Sequence, residues 1–330
     1  MLSAVLLFTL HCCFSGEELD VTSAKLIKHA LKDSTRATYN CSQRKFLQFC
    51  YDYGFEALPV EEDTLIGFVS HLHNRGLKGS SIQVYLAAVK SLHTHTGLPY
   101  PENMSRLTLA LRGAKVLSLP PVRKLPITFS VLCKLMNNLS YRQDKELIQC
   151  AMAVAFFGCL RAGELCISDK EVFDSTKHLC VKDVKFFNED KMFSLFLKQS
   201  KTDRLSNGVE IFIGCSAHDI CAYCMLKQFL CSRSDMDPSA PLFADCHVSV
   251  LRKSYFVNAT RLALSAMGLN PSLYSGHSFR AGSATSGAQC GFNHWELKML
   301  GRWSSECFHI YLRDPKIVAN FAQRLASSLV

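Results

Sequence analysis

The chain has 330 residues, of which 48% are apolar and 20% charged, with 17 Gly and 10 Pro spread along it. This is an ordinary globular mixture, long enough for two domains, and it excludes a collagen, a coiled coil or a disordered tail. The formal charge is +9, made of −3 over residues 1–20, +7 over 21–125 and +5 over 126–330, so both halves of the body favour a polyanionic partner, nucleic acid before anionic membrane.

Residues 1–20 form a leader or signal-like segment. Its apolar stretch from Ala4 to Cys13 is followed by Ser15-Gly16, but no positive residue precedes it, and it is shorter than the about 20 residues that span a bilayer. Secretion with cleavage near Gly16 and a flexible leader are both open, and no membrane partner is expected.

Helical spacing begins in earnest at Ser34. Tyr39, Phe46, Phe49, Cys50 and Tyr53 mark a first helix, with Ser34 or Asp33 available as its cap. A second runs from about Asp63 to Asn74 with Leu65, Phe68, Val69 and Leu72 on one face. A third carries Ile82, Tyr85, Leu86, Val89 and Leu92 up to Gly97, and a fourth opens after Pro101 with Met104, Leu107 and Leu111. Four helices with short connections over 21–116 make a small bundle. Between 117 and 127 the run Pro120-Pro121-Val122-Arg123-Lys124-Leu125-Pro126 cannot continue a helix and reads as an extended linker.

The remainder, 128–330, opens with helical patterns near 129–139 and 143–158 and then changes period. Short β-rich runs around Val184 to Phe187, Met192 to Leu197 and Val209 to Ile213, with Asn207-Gly208 in a turn, predict a three-stranded antiparallel meander. Helical patterns return near 219–232, 248–267, 277–289, 294–301 and 315–328. The fold class is therefore mainly α with one small antiparallel sheet. Sixteen cysteines lie largely inside apolar runs and read as small core residues in a reducing compartment. Cys215, His218, Cys221 and Cys224 have ligand-like density, but as one continuous run they lack the two separated knuckles of a usual zinc site, so metal binding is the lesser reading.

The chemistry is carried by four short motifs of the second segment. Gly158-Cys159-Leu160-Arg161-Ala162-Gly163-Glu164 ends an apolar helix with an arginine beside a glycine-flanked turn; Ser200-Lys201-Thr202-Asp203 puts a lysine at a hairpin tip. His277 and Arg280 stand three apart on one helical face, and Gly301-Arg302-Trp303 precedes Tyr311, which follows the tryptophan by eight residues. This ordered set resembles that of the tyrosine recombinases, or phage integrases, and most resembles the eukaryotic subgroup of Crypton and DIRS-type mobile elements, where tryptophan often replaces a histidine in the last motif.

The resemblance implies that Arg161 and Arg280 clamp the phosphate, Lys201 is the hairpin lysine, His277 the motif histidine, Trp303 the His/Trp position and Tyr311 the nucleophile. It implies a two-domain DNA clamp, with residues 21–116 as a helical core-binding domain and 128–330 as the α+β catalytic domain. It also implies double-stranded DNA as substrate, a tetramer on paired sites and a nuclear location. In many bacterial members the tyrosine lies one residue further from the His/Trp position than Tyr311 does here.

The residue types suit that chemistry. A tyrosine with an ordinary pKa near 10 needs cationic neighbours to stabilise its developing phenolate. Guanidinium forks match the non-bridging oxygens of a phosphodiester and the extra charge of its transition state. Lys201 is a candidate general acid for the leaving 5′-oxygen, and His277 can share the tyrosyl proton. The Trp303 indole can only donate. These groups stand in for a metal, so no metal and no cofactor is expected. The nearby carboxylates Glu164 and Asp203 lack the partners a two-metal site requires; Glu164, three residues after Arg161, either orients the clamp from behind or pairs structurally. Arg36, Arg44, Lys45, Lys78 and Lys90 are candidate DNA contacts in the bundle, against the plainer reading of a solvated surface. A type IB topoisomerase and a catalytically silent DNA-binding protein derived from a mobile element are the alternative functions.

Overall fold

Side chains three and four residues apart fall on one face of a helix, and in the first unit, Met1–Pro121, those are the buried ones. In the computed structural model the described residues are 17–120, 122–139, 142–199, 207–233, 236–245 and 249–306. The first unit contains α1 (Glu17–His29), α2 (Asp33–Tyr53), α3 (Glu62–Asn74), α4 (Gly79–Thr96) and α5 (Ser105–Leu117). Phe46, Phe49 and Cys50 of α2, Leu65, Phe68, Val69 and Leu72 of α3, and Ile82, Leu86 and Val89 of α4 form one core, each large side chain contributing about 1.5–3 kcal/mol by leaving water. Gly54 and Gly97, with φ of +71° and +69°, end α2 and α4 in the left-handed turn that glycine adopts without strain.

Two local expectations are corrected. Neither Ser34 nor Asp33 caps α2; Lys32 occupies the cap position and its side chain makes no capping bond, while Asp33 is the first helical residue and pairs with Arg36. Helix α1 precedes the four expected ones, and its Val21, Leu26 and Ile27 are exposed, so these residues mark no buried stripe for periodicity to reveal.

The second unit, Val122–Val330, contains α6 (Phe129–Asn137), α7 (Lys145–Phe157), the single turn α8 (Ala162–Leu165), β1 (Val184–Phe187), β2 (Met192–Leu197), β3 (Val209–Gly214), α9 (Ala222–Cys231), α10 (Lys253–Ala266), α11 (Ser278–Gln289) and α12 (His294–Gly301). The expected meander is present in the order β1-β2-β3, antiparallel, with Phe193 opposite Phe186 and Ile213, and Leu195 opposite Val184 and Ile211. On β3 Ile211 and Ile213 are buried while Glu210 and Phe212 are exposed, the period-2 alternation of a sheet with one wet face. The expected helix near 315–328 lies outside the described residues.

Helix α7 is buried almost throughout, from Leu147 to Phe156, as a helix apolar on every face must be. Helices α9 and α11 pack on it. The extended segment entering this unit is fixed by its main chain. The Leu125 N–H donates to the Leu273 carbonyl at 2.7 Å and the Ile127 N–H to that of Ser278 at 2.9 Å. Ile127 is fully buried, and a Cβ on Gly282 would come within 1.7 Å of its carbonyl oxygen, so only glycine allows the segment to lie against α11. Among the described residues no helix is long and apolar enough to cross a membrane.

Candidate active site

The site is built where α7 ends. Cys159 takes a left-handed conformation, φ +48°, which reverses the chain and delivers Arg161 to the start of α8. There the Glu164 carboxylate, only 4% exposed, accepts from the Arg161 guanidinium at 2.6 Å and from the Arg161 main-chain N–H at 2.9 Å. A second guanidinium, from Arg302 at the end of α12, donates to the other Glu164 oxygen at 3.1 Å. Arg302 also donates to the carbonyls of Gly158 at 3.0 Å and Cys159 at 3.4 Å. One carboxylate thus aligns two arginines by charge-assisted bonds.

Arg280, in the first turn of α11, is 1% exposed. It donates to the Cys159 carbonyl at 2.7 Å and to the Gly301 carbonyl, so it joins the turn after α7 to the turn after α12. Its guanidinium carbon lies 4.8 Å from the ring centre of Trp303, within range of a cation–π contact. Burial lowers its pKa, and the neighbouring cations Arg161 and Arg302 act in the same direction; a guanidinium nonetheless keeps its charge. Two bonds do not exhaust its five donors. Trp303, 7% exposed, packs with Cys159, Ala284 and Leu297. A Cβ on Gly301 would approach the indole to 1.9 Å, so the absence of a side chain there seats the ring.

The structure therefore brings Arg161, Glu164, Arg280 and Trp303 together. It puts His277 at the N-terminal cap of α11, three residues before Arg280, with its ring exposed and its main-chain N–H donating to Ser275 Oγ at 3.3 Å. Lys201 and Tyr311 lie outside the described residues, as do Asp203 and Arg204. Lys198, the nearest rival to Lys201, is committed elsewhere. Its side chain is 12% exposed, and its ammonium lies 2.5 Å from the Asp183 carboxylate and donates to the Ser175 and His178 carbonyls, each at 2.8 Å.

Arg302 was missed in the sequence reading, because an arginine beside a tryptophan at a helix end reads as solvated. The available signal was the spacing: Arg302 stands nine residues before Tyr311, one more than Trp303 does. With Arg302 included, two guanidiniums pair with one carboxylate and a third, Arg280, joins them at the Cys159 carbonyl. The local excess of positive charge, with donors fixed in direction, is suited to the two non-bridging oxygens of a phosphodiester, which share its negative charge.

The five bundle candidates differ among themselves. Arg36 pairs with Asp33. Lys45 donates to the Tyr85 hydroxyl at 3.0 Å, which raises its pKa, and Lys90 lies over the Tyr100 ring at 5.9 Å. Arg44 donates to the Asn40 carbonyl at 3.4 Å, and Lys78 is exposed at the cap of α4.

No family model matches the chain. It is similar to an integrase/recombinase xerD homolog of Selenomonas ruminantium, 25% identical over 322 residues, which cover 92% of this chain and 88% of the relative. Among solved structures it is similar to the Tn1549 transposon integrase (residues 82–397) in complex with circular intermediate DNA, at a TM-score of 0.60 and 15% identity over 88% of this chain and 94% of that one. It is also similar to a lambda integrase (75–356) dimer bound to a COC′ core site, at a TM-score of 0.57 and 19% identity over 90% and 94%. The two structures share its mainly helical fold with a small antiparallel sheet. The likeness to the two solved structures is one of fold, and the likeness to the integrase/recombinase homolog extends over most of both chains.

Proposed function

We propose that this protein is a DNA recombinase that cleaves and rejoins strands through Tyr311, with no metal at the phosphate. The observation that carries this reading is the convergence of Arg161, Arg302 and buried Arg280 around the Glu164 carboxylate and the Cys159 carbonyl. A pre-aligned cationic site of this kind is what a phosphodiester transition state calls for. The Tyr311 oxygen attacks phosphorus, the bond to the 5′-oxygen breaks, and a 3′-phosphotyrosyl link and a 5′-hydroxyl result. Lys201 supplies the proton to the leaving oxygen, and His277 shares the proton lost by Tyr311. A 5′-hydroxyl from a partner strand then reverses the step.

Arg161 and Arg280 clamp the phosphate with Arg302 beside them, and Glu164 holds Arg161 and Arg302 from behind; Arg280 also ties together the two turns that carry Arg161 and Trp303. The assignment to the Crypton and DIRS-type subgroup rests on Trp303 at the His/Trp position, and a nuclear location goes with it. The bundle and the catalytic domain act as the two halves of a DNA clamp, with self-association up to a tetramer on paired sites; the two solved relatives are DNA complexes, one of them a dimer.

The test is a covalent adduct on suicide substrates drawn from the DNA flanking the protein's own gene. The wild type is expected to form it in the presence of EDTA, and Tyr311→Phe is expected not to. Salt-sensitive binding without any adduct would replace this reading with that of a silent DNA-binding protein. Relaxation of supercoils without a paired site would favour topoisomerase-like strand passage.

A further inference from the structure

We propose that Cys215, Cys221 and Cys224 bind a zinc ion that pins the end of β3 to the start of α9. Cys215 directly follows the last residue of β3, Cys221 caps α9, and Cys224 is the third residue of that helix. The loop 216–220 folds the first cysteine back over the other two. The Cys215 sulfur lies 3.5 Å from that of Cys221 and 4.0 Å from that of Cys224, and all three fall within 4.8 Å of one another. Among the described residues this is the one group of three or more potential metal ligands.

Those separations fit zinc without a change of backbone. Tetrahedral zinc holds thiolates at about 2.3 Å, which puts neighbouring sulfurs about 3.8 Å apart. A disulfide would need two of them at about 2.05 Å and would leave the third outside. The surroundings favour thiolates over thiols. The Ser216 N–H points at the Cys221 sulfur at 3.4 Å, and Cys221 and Cys224 occupy the first turn of α9, where main-chain N–H groups and the helix dipole stabilise negative charge. Three soft sulfur ligands select zinc over harder divalent ions.

His218 braces this loop and is not a ligand. Its Nδ1 accepts the Ile220 N–H at 3.0 Å, and its ring meets Phe129 edge-on at 5.2 Å between centres. Cys221 is 1% exposed, while Cys224 is on the surface, so the fourth position of the ion opens to solvent. The site lies outside the arginine cluster and takes no part in the phosphate chemistry. It secures the sheet to α9, which packs on α7, the helix whose end presents Arg161. It stands whether or not the chain is a recombinase.

The experiment uses the full chain purified under reducing conditions without chelator. Elemental analysis is expected to find about one zinc per chain, and replacement by Co2+ is expected to produce a thiolate-to-cobalt charge-transfer band. Cys215→Ser and Cys224→Ser lose both signals. Cys41→Ser, an exposed cysteine of the first unit, and His218→Ala keep them. Cys224→Ser replaces a surface side chain and so guards against loss of signal by misfolding, with circular dichroism as the check. A folded wild type with no zinc and no cobalt band would overturn the proposal, as would a Cys215–Cys221 disulfide in the freshly purified chain. Release of the metal by His218→Ala would overturn the three-thiolate assignment.

Discussion

The two units treat charge in opposite ways. In the first, the candidate DNA cations lie at or near the surface, and the buried polar side chains among the described residues are Ser42, Thr64 and His93. Both His93 nitrogens meet main chain: the Val60 N–H donates to its Nε2 at 3.0 Å, and its Nδ1 meets the Val89 carbonyl at 2.9 Å. In the second unit an entire arginine, Arg280, is buried, and the carboxylates of Glu164 and Asp183 are covered to all but 4% and 6%. Covering an ion costs several kcal/mol unless bonds replace its water. The second unit supplies those bonds at Arg280, Glu164 and Asp183, which fixes direction and distance. Exposed charge gives additive, salt-sensitive attraction; covered charge gives a prepared geometry that fails as a whole.

This contrast can be broken at several points. The largest effect is expected from Tyr311→Phe, which abolishes the covalent adduct while leaving DNA affinity within about twofold, since one hydroxyl adds little to binding through many phosphates; a gel-resolved adduct in the variant would sink the assignment. Arg280→Ala takes the guanidinium donor from the Gly301 carbonyl, leaves the Cys159 carbonyl only its longer bond from Arg302 and opens a cavity, and should cost the second unit about 2–5 kcal/mol. Urea unfolding should show that transition moving alone, with the bundle's midpoint unchanged. Glu164→Gln keeps the shape but removes the charge that aligns Arg161 and Arg302. A loss of about 2 kcal/mol in positioning corresponds to roughly thirtyfold in cleavage rate, read by single-turnover kinetics, and an unchanged rate would assign Glu164 to packing alone. Lys45→Ala should weaken DNA binding only about two- to tenfold and reduce the salt slope by about one. Arg36→Ala should do less, because Asp33 already pairs with it; an equal or larger effect in a salt titration would contradict the surface picture of the bundle.

Much of the bundle was legible because its helices obey a single local rule. Leu65, Phe68, Val69 and Leu72 were expected on one face of α3 and are all buried there. The sheet was legible for the same reason, its alternation of period two being local. What escaped depended on contacts between distant parts of the chain. The proline-rich stretch shows that a helix stops, but not that Leu273 and Ser278 accept its N–H groups. Arg302 meets Glu164 across 138 residues, and neither side chain alone signals the other. The cysteine run was disfavoured as a metal site by linear spacing, and only the fold-back of 216–220 brings its sulfurs together.

The docked segment from Val122 to Ile127 bears on how the molecule comes apart. A protease given the native chain should cut between the end of α5 at Leu117 and Val122, where the described residues make no main-chain bond to α11 or its preceding loop, and should spare the peptide bonds around Leu125 and Ile127. A fragment of the second unit begun at Thr128 would discard Ile127, deprive the Ser278 carbonyl of the Ile127 N–H, and open the trough over Gly282 to water. A fragment begun a few residues before Val122 keeps that strip of chain as part of its own wall, and is the shorter piece expected to stay monodisperse on its own.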